Sequence, residues 1–421
     1  MKIFNITNLL NLLFLLIPIT LVIGPAIADI NIVLMDIFFL ILCFQKKLFH
    51  YFKNKFFVLF LLWNLYIILL SIFSDNMILS FESSLFYFRF GIFAVCIYHI
   101  CNIHYIYLKY FLFVLSFVLF IVTIDAWIQF FYGFNLLGYP YNLSRLSGFF
   151  NDEYILGSFL SRMFPLYFGL IILFYSKSLY ALLFSIFLFI SIDCLIYISG
   201  ERTAFLFIFI STFLILILNQ KWRLTRLLLS IVSIFLIIIL SFIYTQSKSR
   251  MVDYTLKQTN LLESTNYNFH YFSIQHEVIF NTAIKIFKDN ILFGIGPKMF
   301  REKCKIEKYQ TFTVLDGSVD GCSTHPHHTY IQLLTETGIT GLIPIIFIFL
   351  FVCSSLFKQF YFLYFKNKRR YSDFQISLFI CIFISLFPLA PSGNFFNSWL
   401  SIIYYLPIGM LFNSYNKQKD I

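Results

Sequence analysis

Apolar runs of membrane-spanning length recur along most of this chain and leave few folds open to it. About twenty apolar residues in a helix are needed to cross the roughly 30 Å hydrocarbon core of a bilayer. Runs of this kind occupy residues 9–27, 30–44, 56–73, 85–103, 110–131, 154–175, 179–198, 203–218, 227–244, 338–357, 374–391 and 395–412. The second is the shortest and contains Asp36. Charged residues make up 12% of the chain, against about 25% in globular domains, and hydrophobic residues 60%. A soluble domain is excluded. The expected fold is all-α, a polytopic integral membrane protein of about 12 transmembrane helices with one large loop between spans 9 and 10. The expected division is 1–244 for spans 1–9, 245–337 for the loop, and 338–421 for spans 10–12 and a tail.

Orientation follows from the short loops, because cytoplasmic loops carry an excess of Lys and Arg. In a twelve-span count, one side collects Lys46, Lys47, Lys53, Lys55, Lys109, Lys177, Lys221, Arg223 and Arg226. The same side collects Lys358, Lys366, Lys368, Arg369, Arg370, Lys417 and Lys419. Both termini are then expected in the cytoplasm and the large loop outside it. The first run meets the second within a few residues, so it reads as an uncleaved span. The net charge of +11 comes mostly from these flanking residues, so nucleic acid is not an expected partner. The 59 Phe and 27 Tyr accompany abundant Ile, Asn and Lys, a mix AT-rich coding produces, and read as lipid-facing and packing residues.

The loop has structure of its own. Phe272, Val278, Ile279, Ala283, Ile286 and Phe287 fall at helical spacing and predict an amphipathic helix over 271–289, on the membrane surface or capping the bundle. Asn290 ends it, and GIGPKMF reverses the chain. Six cysteines lie in or beside apolar runs, where Cys acts as a small hydrophobe. Cys304 and Cys322 lie in the loop and can close a disulfide if it is outside the cytosol. Then comes HPHHTYIQLLTETGITG, with His325, His327 and His328 ahead of a helix carrying Glu336, Gly338 and Gly341. Gly338 and Gly341 permit close helix packing, as small-xxx-small patterns do.

Basic residues on the outer side break the topology rule and are therefore informative, since one deep in a span costs roughly 2.5–3.5 kcal/mol on insertion scales. They are Arg89, Arg145, Arg162 and Arg202. Arginine binds phosphate through a planar fork that keeps its proton, so several of these can converge on an anion. The competing reading is local pairing: Arg202 with Glu201, Arg162 with Asp125 or Asp193, Arg145 with Asp152 or Glu153. The histidines can be metal ligands, bases or polar caps. HxHH before a proline-constrained turn has poor bite for a metal, whereas a base near its ordinary pKa of about 6.5 needs only to reach a hydroxyl.

These residues together resemble the O-antigen ligase and polymerase superfamily of bacterial envelope glycosyltransferases. The family pattern is His, then Asn, Ser or Gln, nine residues, and Gly-x-x-Gly. Here His327, His328, Thr329 to Thr337, Gly338 and Gly341 fit it, with His328 as the departure. RLSGFFNDEYILGSFL resembles the family's Arg-x-x-Gly-Phe segment, ISGERTAFL its turn carrying Ser, Arg and Ala, and FGIGPKMF its Gly-x-Gly-x-x-x-Phe turn. The resemblance covers about residues 125–357. It implies a glycosyltransferase without cofactor or metal, using a polyprenyl-diphosphate-linked glycan at the periplasmic face of the inner membrane. The acceptor is lipid A-core for a ligase, or another repeat unit for a polymerase. His327 is then the base, and Arg145 and Arg202 hold the diphosphate. His325, Arg162 and Arg301 come second. Both ligase and polymerase fit these residues, and a lipid-glycan transporter or flippase is the competing class, for which paired half-repeats and broken helices are expected.

Overall fold

The computed structural model describes residues 6–142, 145–258, 271–312 and 320–416; Lys417 and Lys419 lie outside the described residues. Among the described residues the regular structure is helical. The first ten helices are α1 (Ile6–Ile23), α2 (Pro25–Lys46), α3 (Lys55–Ile72), α4 (Met77–Ser84), α5 (Phe88–Ile103), α6 (Ile106–Tyr132), α7 (Leu156–Tyr175), α8 (Leu179–Ile198), α9 (Arg202–Leu218) and α10 (Arg223–Ile243). The loop holds the short α11 (Thr245–Lys248), a π-turn at Ser249–Asp253, α12 (Tyr254–Gln258), α13 (Ile274–Asp289) and the turn-length α14 (Phe300–Lys303). Last come α15 (Thr329–Phe365), α16 (Asp373–Ser385) and α17 (Ser398–Asn416).

Nine helical segments among the described residues are long and apolar enough to cross a membrane by length and composition, Met77–Ile103 counting as one. Three shorter apolar helices, Arg202–Leu218, Asp373–Ser385 and Ser398–Phe412, account for the remaining expected spans. The protein is therefore a polytopic membrane protein. α7 is the enclosed axis: every residue from Leu156 to Ile172 except Ser158 is buried. It packs on α16, α9, α8 and α6, while α17 packs on α5 and α16. On α10, by contrast, only Arg226, Leu229 and Ser233 are buried. The apolar side chains that α10 exposes suit lipid contact.

One buried arginine and aspartate inside the bundle are paired with each other. Arg226 holds Asp193 with two 2.9 Å hydrogen bonds, and its guanidinium lies 4.4 Å from the Phe164 ring centre. Removing one partner of such a pair costs about 3–5 kcal/mol. Arg89 likewise pairs with Asp29 and bonds Ser398, which makes it a local tie between α5, α2 and α17.

Two features differ from the sequence reading. The span expected over 374–391 is helical only to Ser385, and residues 386–397 are irregular. Pro388, Pro391 and Gly393 account for the break. Irregular backbone at membrane depth requires internal partners. The histidine segment supplies several: Tyr330 Oη donates to Leu386 O, His328 Nε2 to Pro388 O, and Gln332 Oε1 accepts from Phe395 N. The other correction concerns Gly338. It does not share a helical face with Gly341; it breaks α15, with φ 65° and ψ −175°.

The break is repaired by the GIGPKMF turn, bond for bond. The carbonyls of Thr335 and Glu336 accept from Ile295 N and Gly296 N, and Thr337 O accepts from Tyr66 Oη on α3. The amides of Ile339 and Thr340 donate to Ile291 O and Leu292 O. Chain approach this close tolerates no side chain. A Cβ on Gly338 would stand 2.3 Å from Leu292 O, and one on Gly294 (φ +70°) 2.6 Å from Glu336 C. Beside this splice the loop has its own small core of Ile279, Ala283, Ile286, Ile295, Met299, Phe300 and Tyr309. Cys304 and Cys322 are joined as a disulfide at its edge.

Gly338→Ala and Gly294→Ala should each destabilise the protein by about 3 kcal/mol or more, adding left-handed strain to a backbone clash. Gly341→Ala should cost less, because a Cβ there meets the Thr337 and Tyr66 side chains, which can give. Unfolding in detergent by denaturant or heat checks this order, and equal costs would contradict the splice.

Candidate functional site

Two of the residues that broke the topology rule, Arg145 and Arg202, come together near the end of the bundle where α7 and α9 begin. α6 positions the first of them. Gln129 Oε1 accepts from the amides of Ser147 and Gly148, at 3.2 and 2.6 Å. Asp125 accepts from Leu136 N at 2.9 Å and from Asn135. These bonds hold residues 135–136 and 147–148 on either side of Arg145, whose guanidinium lies over the Tyr154 ring at 4.4 Å and donates to Tyr154 O. Neither Asp152 nor Glu153 holds it.

Glu201 does not serve as a local partner for Arg202. Its two oxygens accept from Gly157 N at 2.6 Å and Ser158 N at 3.0 Å, capping α7. A carboxylate suits a helix N-terminus, where amides are unpaired and the dipole is positive. Gly157 is required for that approach, since a Cβ there would meet Ser199 Oγ at 2.6 Å and Glu201 Oε1 at 3.0 Å. Burial pushes the Glu201 carboxyl up, against the two amides and Arg145, which favour its charge.

Arg202 opens α9, with Nη1 3.4 Å from Thr255 Oγ1. One turn before Thr255, Arg250 donates from Nε to Gly200 O at 3.0 Å. Arg250 is within electrostatic reach of both Arg145 and Arg202. The sequence reading missed it, because a basic residue in a long loop carries no topology signal.

His327 comes from the loop side. Its backbone is left-handed (φ 53°), its carbonyl accepts from Ser392 N at 2.9 Å, and its Nε2 lies 3.0 Å from Ser323 Oγ. The His325 ring is 4.1 Å away, centre to centre, and that of His276 on α13 5.9 Å. His276 is the link to the bundle, within electrostatic reach of His327, His328 and Arg202. It too escaped the sequence reading; it sits on the predicted amphipathic helix, but outside any motif. Burial holds every one of these imidazoles below its ordinary pKa, His276 at about 4 and His325 at about 3, with His327 and His328 also lowered. They are neutral bases at pH 7.

His328 has a different task. It is the N-cap of α15, where Nδ1 accepts from Ile331 N at 3.3 Å and Nε2 donates to Pro388 O. An amide or hydroxyl at this position caps a helix in the same way, which accounts for the departure from the family pattern. The second-rank candidates separate. His325 stays with His327, Arg301 stands within electrostatic reach of His325 and Glu336, and Arg162 lies deeper, inside α7. Arg162 takes neither Asp125 nor Asp193. Among the described residues no group of three or more His, Cys, Asp or Glu has metal-site geometry.

Residues 184–346 match the family model described as O-Antigen ligase. This stretch carries Arg202, Arg250, His276, Arg301, His325, His327 and both glycines, and leaves Arg145 and Arg162 outside. No curated protein matches the chain. The resemblance to the O-antigen ligase superfamily therefore holds for this region, and the protein is a multi-pass membrane protein of glycosyltransferase-like type.

Replacing His328 by Ala should cost about 1 kcal/mol for the lost cap. His328→Asn should recover most of that and retain transfer. Thermal unfolding of both variants checks this; equal losses would mean the imidazole contributes chiefly through Pro388.

Proposed function

From the match of residues 184–346 to the O-antigen ligase family model, we propose that the protein transfers a glycan from a polyprenyl diphosphate carrier to a sugar hydroxyl of lipid A-core. The reaction is placed at the periplasmic face of a bacterial inner membrane, with both termini cytoplasmic. One observation carries the reading. A neutral imidazole on the loop, His327, is brought through His276 to the same end of the bundle as the guanidinium groups of Arg202, Arg250 and Arg145.

The chemistry follows from what each group can do. In the tautomer whose Nε2–H donates to Ser323 Oγ, Nδ1 of His327 is the nitrogen that takes the proton of the attacking hydroxyl. The hydroxyl oxygen bonds the anomeric carbon as the bond from that carbon to the carrier phosphate breaks, and the electron pair leaves with the diphosphate. Arg145 and Arg202 stabilise the charge where it develops, which is the most effective place for fixed positive groups. Direct displacement inverts the anomeric configuration, and no metal is needed for the leaving group. Against a transporter stands the gathering of Arg145, Arg202 and Arg250 at one end of the bundle, although α15 does break at Gly338 as a transporter helix would.

Ligase is distinguished from polymerase by the lipopolysaccharide banding of a deletion strain. Loss of all glycan-capped species identifies a ligase, whereas a single repeat left on the core identifies a polymerase. Persistence of transfer in chelator is expected.

His327→Ala and Arg202→Ala should leave the protein inserted and abundant while abolishing transfer, and near-normal transfer in either removes that residue from the mechanism. Arg202→Lys should also be poor, since a point charge does not replace a bidentate fork. The pH profile carries a sign. The base must be neutral, and burial lowers the His327 pKa from its ordinary 6.5. The acid limb of kcat/KM, which reports the free enzyme, should therefore lie below pH 6.5. The limb of kcat should lie higher, because bound diphosphate favours the imidazolium. A kcat/KM limb above pH 6.5 would exclude His327 as the base.

A further inference from the structure

Arg162 is separated from the surface cluster by depth. It lies six residues into α7, about 9 Å along the axis from Leu156 at 1.5 Å per residue, and is 5% exposed. Its guanidinium rests 4.8 Å from the Phe207 ring centre. Its one hydrogen bond among the described residues runs from Nη1 to Ser158 O at 3.4 Å, and its buried Nε donates to nothing. Asp193 is committed to Arg226 and Asp125 to Asn135 and Leu136. Glu201, the acid within electrostatic reach, has both oxygens on α7 amides. Tyr404 on α17 is also 5% exposed and within reach of Arg162, and its hydroxyl has no polar neighbour at good hydrogen-bond geometry beyond a contact with Thr329. Thr329 Oγ1 and Ser392 Oγ are 2.8 Å apart, and Ser392 N holds the His327 carbonyl. Through Thr329 and Ser392 the two side chains are thus connected to the histidine segment.

A buried guanidinium whose Nε donates to nothing, and whose one hydrogen bond among the described residues is the 3.4 Å contact with Ser158 O, is costly inside a span. An oxyanion would satisfy Arg162, whose guanidinium offers donors only, and the Tyr404 hydroxyl can add one more donor. We propose that Arg162 and Tyr404 form a membrane-depth anion site that takes the lipid-proximal phosphate of the carrier diphosphate, one layer below Arg145 and Arg202. This rests on the lipid-diphosphate reading above. A carrier whose glycan meets His327 and whose hydrocarbon runs into the bilayer must direct the phosphate nearer the lipid inward, towards Arg162. The fork of Arg162 suits two phosphate oxygens, and the Tyr404 hydroxyl a third contact.

The test uses the full-length protein in nanodiscs, as wild type, Arg162→Met and Tyr404→Phe. Polyprenyl diphosphate, inorganic diphosphate and the phosphate-free polyprenol are titrated separately, reading affinity and melting temperature. Wild type should bind polyprenyl diphosphate, and Arg162→Met should bind it about tenfold or more weakly. Without ligand, Arg162→Met should melt at or above the wild-type temperature, because an apolar chain replaces an unpaired buried charge. Tyr404→Phe should keep its fold and lose part of the affinity, and it carries the test if Arg162→Met does not fold. Unchanged affinity in both variants overturns the proposal and leaves the donor reading intact. Wild type indifferent to polyprenyl diphosphate removes both. Equal Arg162-dependent binding of inorganic diphosphate assigns the pocket to free phosphate and overturns the lipid-proximal assignment.

Discussion

The structure depends on a backbone exchange between two distant segments. Breaking α15 at Gly338 strands carbonyls and amides, including the carbonyls of the buried Thr335 and Glu336, and each buried one left unsatisfied would cost about 1–3 kcal/mol. The turn at 291–296 supplies donors to Thr335 O and Glu336 O and acceptors to the amides of Ile339 and Thr340. The loop is thereby made part of a membrane helix. Because the histidine segment is the N-terminal continuation of α15, its position is fixed against the bundle by the same bonds. The glycines at 294 and 338 are there because no other residue lets two backbones come this close.

That rigidity is what allows His327 to hold a left-handed backbone, which costs a non-glycine residue roughly 1–2 kcal/mol. The strain is sustained from two sides, by Ser392 N on the carbonyl and Ser323 on the ring. Ser323 adjoins Cys322, so the disulfide to Cys304 steadies the residue that orients the imidazole. Burial of His276, His325 and His327 together removes the charge that three neighbouring imidazoles would otherwise carry at mildly acid pH. It leaves the arginines as the fixed positive groups beside a neutral imidazole, the division of labour that the proposed transfer would require.

Much of this was legible in the sequence, because hydropathy sets where helices cross and an arginine on the wrong side advertises itself. The amphipathic helix ends at Asn290 as its pattern indicates, and His327 and Arg202 stand out from motif and topology alike. What stayed hidden was tertiary. The apolar composition of 386–391 conceals that its prolines end α16 early. Gly338 and Gly341 read equally well as helix packing until the φ of Gly338 is known. His276 and Arg250 lie in polar sequence with no local anomaly, and only the packing of α13 and the turn after α10 brings them to the site. Arg162 was visible as an anomaly, but its lack of a carboxylate partner emerges only once Asp193 is seen on Arg226 and Glu201 on the α7 amides.

The loop is tied to the bundle in two ways of unequal weight. Lys298 pairs with Glu82 and Lys303 with Asp75, joining it to the turn around α4, but both acids are largely exposed and such pairs contribute about 0–1 kcal/mol. The buried ties are stronger. Gln332 Nε2 donates to Glu336 Oε2 at 3.0 Å and Asn394 Oδ1 at 2.8 Å, its Oε1 accepts from Phe395 N, and Glu336 Oε1 accepts from Phe300 N. Gln332 and Glu336 are fully enclosed, so every bond lost there leaves a buried group unpaired, at about 1–3 kcal/mol each and more where charge is involved. Salt can therefore loosen the rim of the loop without moving His327. A change at Gln332 would disturb α15, the 386–397 segment and the 296–300 turn together, and these are the three elements that surround the base.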